Sequence, residues 1–292
     1  MQSVSAATIN RDERIAPFQY DAIVSFVLYN TATAEIEAAV RQVFASPGRF
    51  HVALIDNSSV ALDLDAISSP EVTVMRPGRN IGYGAGHNLA LRQFSGVAPY
   101  HFVLNTDVEF GPDVIPGLIR FMADNPRVGM AMPLVKYPNG DIQHLCRLLP
   151  RPIDILGRAF FANWRWAQTL TRRYEAHSWP YDQPISFPFL SGCFMAIRAE
   201  ALGIVGLFDE RFFLFAEDLD LSRRFHRTCE TTLCPRVSIV HAYRTKTVRS
   251  WTRKVHLIRS FVKYFNKYGW VFDRERAAVN QRVLNELDSS VS

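Results

Sequence analysis

Short apolar runs alternate with helix-like patterns along the first 135 residues. AIVSFVLYN at 22–30 predicts a buried strand ending in polar residues, and a helix pattern covers 34–45. HVALIDNSS at 51–59 and VTVMR at 72–76 predict two further strands. Between 82 and 94 a glycine-rich turn enters a helix, and HFVLNTDVEF at 101–110 predicts a fourth strand ending in acid. Strands separated by helices build parallel α/β units, and open parallel sheets bind ligands outside the carboxyl ends of their strands. These strands end in Asn, Asp or Arg, so polar clusters are expected to converge along that edge.

From Lys136 the pattern loosens, with prolines at 138, 150, 152, 180, 184 and 188 around one helical segment, 153–174. FPFLSGCFMAIR at 187–198 predicts a strand and 200–205 a short helix. The stretch 208–227 turns helical near Glu217, and a last helix covers about 252–268. No internal repeat occurs, and no linker is long enough to separate domains.

The 292 residues are 48% apolar and 21% charged with a mean hydropathy of -0.03, which excludes disorder as the main state. No apolar run approaches the roughly 18 residues of a membrane-spanning helix. The first residues, MQSVSAATINRDER, lack the apolar centre of a signal peptide. The four cysteines show no Cys-x-x-Cys spacing, so neither a zinc knuckle nor a disulfide framework is expected, and reduced thiols in the cytosol are. The net charge of +5 is uneven: 147–276 holds 22 Lys and Arg against 12 Asp and Glu, and the remainder 11 against 16. The basic region is expected to face something anionic.

Four clusters carry candidate chemistry. GYGAG at 82–86 lacks the dinucleotide-binding fingerprint, since it follows the third strand and His87 holds the sixth position; a tight turn that lets the backbone approach a ligand is the expectation. Asn105, Asp107 and Glu109 alternate along a strand end, and hard oxygen ligands on one side would suit Mg²⁺ or Mn²⁺ holding a diphosphate, whereas an acidic cap before Pro112 is the plain alternative. Glu217, Asp218 and Asp220 lie beside Phe208, Phe212, Phe213 and Phe215; a carboxylate in such surroundings has a raised pKa and can act as general base. His241 ends an apolar strand pattern and precedes Arg244, Lys246 and Arg249.

Taken in order, FVLYN, IDNSS, NIGYGAGHN, LNTDVEF, FLSGCFMAIR, FDERFFLFAEDLDLSRR and VHAYR resemble the family-2 inverting glycosyltransferases of GT-A fold over about 22–249. The likeness is greatest to bacterial rhamnosyltransferase-like members of O-antigen and surface-polysaccharide synthesis. It implies an α/β GT-A fold, a mostly parallel central sheet flanked by helices, with a nucleotide-binding region at about 20–135, an acceptor-binding region at about 136–250 and a helical extension at 251–292.

By position, the resemblance makes Tyr29, Asn30, Asp56 and Asn57 the pocket for base and ribose, and Arg79, Asn80 and Asn88 the lining of the nucleotide sugar. Asn105-Thr106-Asp107 stands where the family has DxD, with Asn105 replacing the first Asp, so Asp107 is the implied metal ligand, His241 its partner, and Glu109 drops back. Ser191 and Gly192 form the turn beside donor and acceptor sugars. Asp218 is the implied base, with Glu217 its rival, and Arg244 and Lys246 assist the diphosphate. The implied donor is dTDP-L-rhamnose, or a UDP-hexose, and the implied acceptor a glycan or polyprenyl-diphosphate-linked sugar. A nicotinamide oxidoreductase resting on GYGAG is the alternative of another class, and no nucleic-acid motif occurs.

Arg151, Arg158, Arg165 and Arg172 recur every seven residues, so the last three give one basic stripe if 153–174 is a helix, and the last helix sets His256, Arg259, Lys263 and Lys267 apart from Trp251, Val255, Ile258, Val262 and Phe265. Such faces suit either docking on the protein's own core or peripheral contact with an anionic membrane surface, which the resemblance, with its lipid-linked acceptor, would make the inner face of the inner membrane.

Overall fold

A computed structural model of the chain describes residues 18–242 and 251–291. It begins with β1 (Ala22–Leu28), α1 (Thr33–Ala45), β2 (Phe50–Asp56), β3 (Val72–Met75), α2 (Tyr83–Gln93) and β4 (Tyr100–Leu104). Next come β5 (Val108–Phe110), α3 (Val114–Asp124), β6 (Val128–Lys136), β7 (Cys146–Arg147), α4 (Pro152–Phe160) and α5 (Arg165–Tyr174). β8 (Ile185–Ser186), β9 (Phe189–Leu190), β10 (Phe194–Arg198), α6 (Ala199–Val205), α7 (Glu217–His226) and β11 (Glu230–His241) follow, then α8 (Trp251–Tyr268) and α9 (Arg274–Val291).

The main sheet has the order β3-β2-β1-β4-β10-β6-β11-β5, with β8 against β11. β1, β2, β3 and β4 run parallel, and β2 is buried along its length and β1 at every position but Val27, which is why they read as continuous apolar runs. The chain winds outward from β1 in both directions, so β1 and β4 flank the point where an open α/β sheet leaves a crevice. Leu28 pairs with Asp56 and Phe26 with Leu104, setting Asn57, Asn30 and Asn105 level along one edge. β10 breaks the parallel run by lying antiparallel between β4 and β6.

β11 pairs parallel with β6, slips register between Cys234 and Ser238 around Pro235 and resumes that pairing, while its last residues also pair antiparallel with β5 on the other side, matching His241 to Val108. A proline and a bulge bend a strand in this way, and the bend delivers His241 to the strand that follows Asp107.

Several expectations are corrected. The predicted strand at 101–110 is two strands with a turn over 105–107, so the alternation that would align Asp107 with Glu109 is lost. The helix expected over 153–174 is a hairpin, α4 folding back on α5; a Cβ on Gly157 would lie 3.3 Å from Trp166 and 3.4 Å from Ala167, so close approach at Gly157 permits the fold-back. The seven-residue Arg stripe is thereby broken, with Arg151 bound to Asp154 (2.8 Å) and Arg158 to Glu175 (3.1 Å). The strand expected over 187–198 divides into β9 and β10 around Ser191–Cys193.

α8 buries neither of its two expected faces as a whole, since Phe265 of the apolar set is buried together with Ser260 and Tyr264. His256 stacks on Phe213, Lys263 donates to the Arg211 carbonyl (2.5 Å), and Lys267 bridges Asp209 (2.8 Å) and Asp220 (2.5 Å), while Trp251, Ile258 and Val262 are exposed. His256, Lys263 and Lys267 therefore clamp the 208–220 segment, while Arg259 of the same set is exposed.

α9 is anchored by Arg223, buried in α7, which donates two 2.8 Å bonds to Asp273, further bonds to Glu275, and one of 2.9 Å to the Tyr264 hydroxyl. Removing one partner of a buried ion pair leaves a desolvated charge and costs about 3 kcal/mol. Arg223→Met is expected to lose roughly that much in urea unfolding, and a loss no larger than that of a surface substitution would deny the cluster this anchoring role.

Candidate functional site

The carboxyl edge of β4 carries Asn105, Thr106 and Asp107. The Asn105 N–H donates to the Cys193 carbonyl (2.9 Å), and Thr106 donates to Glu35 in α1 (2.6 Å), which fixes the turn against the sheet. Asp107 Oδ1 lies 3.3 Å from His241 Nε2. Burial pushes the Asp107 carboxyl up, but hydrogen bonding and charge from His241 outweigh it, and the group stays below the usual carboxylate range.

Gln143 settles the imidazole. Its Nε2 donates to the His241 carbonyl (2.6 Å), leaving Oε1 to accept from Nδ1–H at 3.2 Å. In the neutral ring Nε2 then carries no proton, and its lone pair faces a carboxylate oxygen. A proton on Nε2 satisfies this facing pair, as in the hydrogen bond that lowers Asp107, and a divalent ion bound between the two atoms would take that proton's place. One carboxylate and one outer-fixed imidazole are a donor set that fits a divalent ion with diphosphate oxygens completing the shell. Among the described residues no group of three or more His, Cys, Asp or Glu gathers for a metal.

Tyr83, at the start of α2, joins this turn to the acidic pair. Its hydroxyl donates to the Gly192 carbonyl (2.6 Å) and lies 3.0 Å from Asn105 Oδ1. Burial, then the acids of Cys193, Glu217, Asp218 and Asp107, hold the phenol well above its ordinary pKa. A Cβ on Gly192 would lie 3.2 Å from that of Asp218 and 3.3 Å from the Tyr83 ring, so a side chain there would displace both.

Asp218 accepts from the Gly192 N–H (3.0 Å) and from the Leu219 N–H (2.8 Å). Phe215 and Ala216, immediately before α7, both have φ in the left-handed region, 70° and 63°. Such residues cost about 1–3 kcal/mol each, and strain of this kind persists where surrounding structure holds it; Ser260 of α8 donates to the neighbouring Leu214 carbonyl at 2.8 Å. Glu217 is buried, and its Oε2 has no hydrogen-bond partner among the described residues. Burial, then the charge of Asp218, pushes Glu217 up to about 8, and burial also raises Asp218, against two backbone N–H groups and Arg147. Asp220 faces away, bound by Arg224, Lys267 and Tyr268.

At the β2 end of the edge stand Asp56 and Asn57. Asp56 accepts from the N–H groups of Ser58 (3.0 Å) and Leu62 (2.8 Å), shaping the loop after β2. Asn57 donates to the Gly82 carbonyl (3.0 Å) and faces Asn80 at 3.4 Å, while its Oδ1 is buried without a partner among the described residues. Tyr29, Asn30 and Arg79 are exposed nearby in sequence, and Asn30 has φ 51°. Asn88 stands apart: its amide pins the 208–210 loop through the Phe208 N–H and carbonyl and Glu210, and it is fully buried. Arg244 and Lys246 lie outside the described residues.

Glu109 is exposed and lines an open cleft of about 720 Å³ with Arg41 and Gln42, away from Asp107's partners. GYGAG also differs from its expected use. A Cβ on Gly82 would strike the Phe213 carbonyl, one on Gly84 the Phe208 side chain at 2.9 Å and one on Gly86 Val27 at 2.7 Å. The glycines bring α2 close to the protein itself.

Pattern reasoning does not find Gln143, Tyr83 or Arg147. Arg147 is largely buried on β7, its guanidinium 5.5 Å from the Phe189 ring centre and its Nε 3.6 Å from Glu175, and the charge of Asp218 helps raise its pKa. Only an arginine inside the apolar run LCRLL hints at it.

An α/β sheet with a polar crevice at its switch point, an Asp–His pair and an acidic pair at a strained helix start define the GT-A class of fold. Residues 24–203 match glycosyl transferase family 2, and the chain belongs to that family. It is 32% identical over 169 residues to the N-acetylglucosaminyl-diphospho-decaprenol L-rhamnosyltransferase of Mycobacterium tuberculosis strain CDC 1551 / Oshkosh, and equally to that of strain ATCC 25618 / H37Rv. The match covers 53% of this chain and 53% of each relative, so the chain spans about half the length of the curated relatives it matches. GalNAc-T7, solved with UDP, GalNAc and Mn²⁺, has a TM-score of 0.60 at 15% identity, covering 78% of this chain and 44% of that one. The mannosyltransferase PcManGT of Pyrobaculum calidifontis, solved with GDP-Man and Mn²⁺, has 0.55 at 16%, covering 94% and 77%.

Proposed function

We propose that the protein transfers a sugar with inversion, L-rhamnose from dTDP-L-rhamnose, to a glycan or polyprenyl-diphosphate-linked acceptor in bacterial surface-polysaccharide synthesis. The observation that carries the reading is a continuous series of contacts, Asp218–Gly192–Tyr83–Asn105–Asp107–His241–Gln143. In this reading Asp218 is the base and Asp107 with His241 the cation-binding pair, and the contacts that join them across one turn support it. The relatives' rhamnosyltransferase name supports the choice of sugar and of a diphosphate-lipid acceptor.

Asp107 and His241 would hold Mg²⁺ or Mn²⁺, which when bound supplies Lewis-acid stabilisation of the departing nucleoside diphosphate. Asp56, Asn57 and Asn80, with Tyr29, Asn30 and Arg79, receive the nucleoside. Ser191 and Gly192 position the sugars, and Asp218 takes the proton of the acceptor hydroxyl as it attacks the anomeric carbon from the face opposite the leaving group. Asn88 supports the 208–210 loop from behind. The site works at the inner face of the inner membrane, where a lipid-linked acceptor is presented.

Calorimetry with dTDP, UDP, GDP and ADP, each with and without Mn²⁺, tests the reading. dTDP is expected to bind tightest and only with the ion. Preference for UDP would reassign the donor to a UDP-hexose, and metal-independent binding of a reduced nicotinamide would overturn the transferase reading.

A further inference from the structure

We infer that the α4–α5 hairpin and the α8–α9 turn form one surface that docks on the interface of a bilayer containing anionic lipid. The inference deepens the lipid-linked reading above and rests on it for its purpose. Ile153, Leu156 and Phe160, at i, i+3 and i+7, share one face of α4 and are 46%, 51% and 51% exposed. Phe161 and Trp164 carry the apolar strip around the hairpin tip, their rings in edge contact at 5.9 Å. A second chain segment adds to it. Arg276 donates to the carbonyls of Val271 (3.0 Å) and Pro150 (3.3 Å), drawing the α8–α9 turn beside the start of α4, and Phe272 on that turn is 94% exposed.

Charge identifies the occupant. Residues 151–174 hold five arginines and a single acid, Asp154, which is buried against Arg151. With Arg158 bound to Glu175, the exposed charge of the hairpin is that of Arg165, Arg172 and Arg173 beside the aromatic tip. A second copy meeting this face across a two-fold axis would set arginine against arginine. An anionic bilayer supplies the counter-charge, and Trp and Phe settle at its headgroup level. The geometry serves the site as well. α5 spans about 15 Å at its ten residues, from the tip to Tyr174, whose ring lies 6.0 Å from the Arg147 guanidinium. A diphosphate rooted in the bilayer at the tip would thus have its sugar directed along α5 toward Asp218.

Flotation with vesicles of phosphatidylcholine alone, and mixed equally with phosphatidylglycerol, tests this without any sugar nucleotide. The full chain is expected on the mixed vesicles. Phe160→Ser/Phe161→Ser/Trp164→Ser should weaken binding at least tenfold. Arg165→Glu/Arg172→Glu/Arg173→Glu should weaken it on the order of a hundredfold, since each arginine near such a surface contributes about fivefold, with unchanged melting temperatures in both. The inference falls if the wild type ignores the mixed vesicles, if both variants bind like the wild type, or if only Trp251→Ser/Ile258→Ser loses binding. It also falls if the wild type is a dimer that the aromatic variant makes monomeric with vesicle binding intact. Sugar transfer to a water-soluble acceptor reports separately: its absence overturns the transfer reading and leaves the vesicle result standing.

Discussion

Asp218→Asn is expected to lower sugar transfer about 10²- to 10⁴-fold, the range for loss of a general base, while Mn²⁺-dependent dTDP binding stays at the wild-type level. The substitution keeps size and hydrogen bonding and removes basicity. Environment separates Asp218 from its neighbour. Two backbone N–H groups and the nearby Arg147 favour ionised Asp218, whereas Glu217 Oε2 is buried and unpaired among the described residues. At neutral pH the pair therefore holds its proton on Glu217, raised to about 8. That sign has a second readout. Because the folded pKa lies above the unfolded one, the folded state binds the extra proton, and stability falls as pH climbs from about 4.5 to about 8. Glu217→Gln should flatten that fall in urea titrations and lose less transfer than Asp218→Asn. A larger loss in Glu217→Gln would make Glu217 the base, and near-normal transfer in both would end the mechanism.

The parallel half of the sheet was legible because β1 and β2, covered on both faces, leave uninterrupted apolar runs that end in polar residues. Helix–helix relations were not. A hairpin closed by Gly157 against Trp166 reads, residue by residue, like one long amphipathic helix, and only packing tells which positions of α8 lie inward. The site divides along the same line. Asn105, Asp107, Gly192, Asp218 and His241 sit in short motifs of characteristic order, and the fold makes them neighbours. Gln143 and Arg147 act through tertiary position alone, in segments with no periodicity to mark them. Asn88 shows the converse: a polar residue at a motif position whose amide is wholly engaged inside the protein.

Asp107→Ala is expected to abolish the Mn²⁺ dependence of dTDP binding and weaken it by more than a hundredfold, since outer-shell changes alone cost about 10- to 100-fold in metal affinity. The carboxylate is the hard oxygen of the pair, and its loss leaves only the imidazole. His241→Ala should weaken binding less, because the carboxylate and the diphosphate remain. Gln143→Leu separates a ligand from a structural histidine. With Nδ1–H no longer held by Oε1 at 3.2 Å, the ring is free to take the other tautomer, which places its proton on the nitrogen facing Asp107. If His241 binds the ion, Gln143→Leu should lower Mn²⁺ affinity roughly tenfold and leave metal-free nucleotide binding unchanged. If His241 only steadies β11, His241→Ala and Gln143→Leu should shift the melting temperature and spare the calorimetric Mn²⁺ response, and an unaltered response in Asp107→Ala would remove that carboxylate from the metal pair altogether.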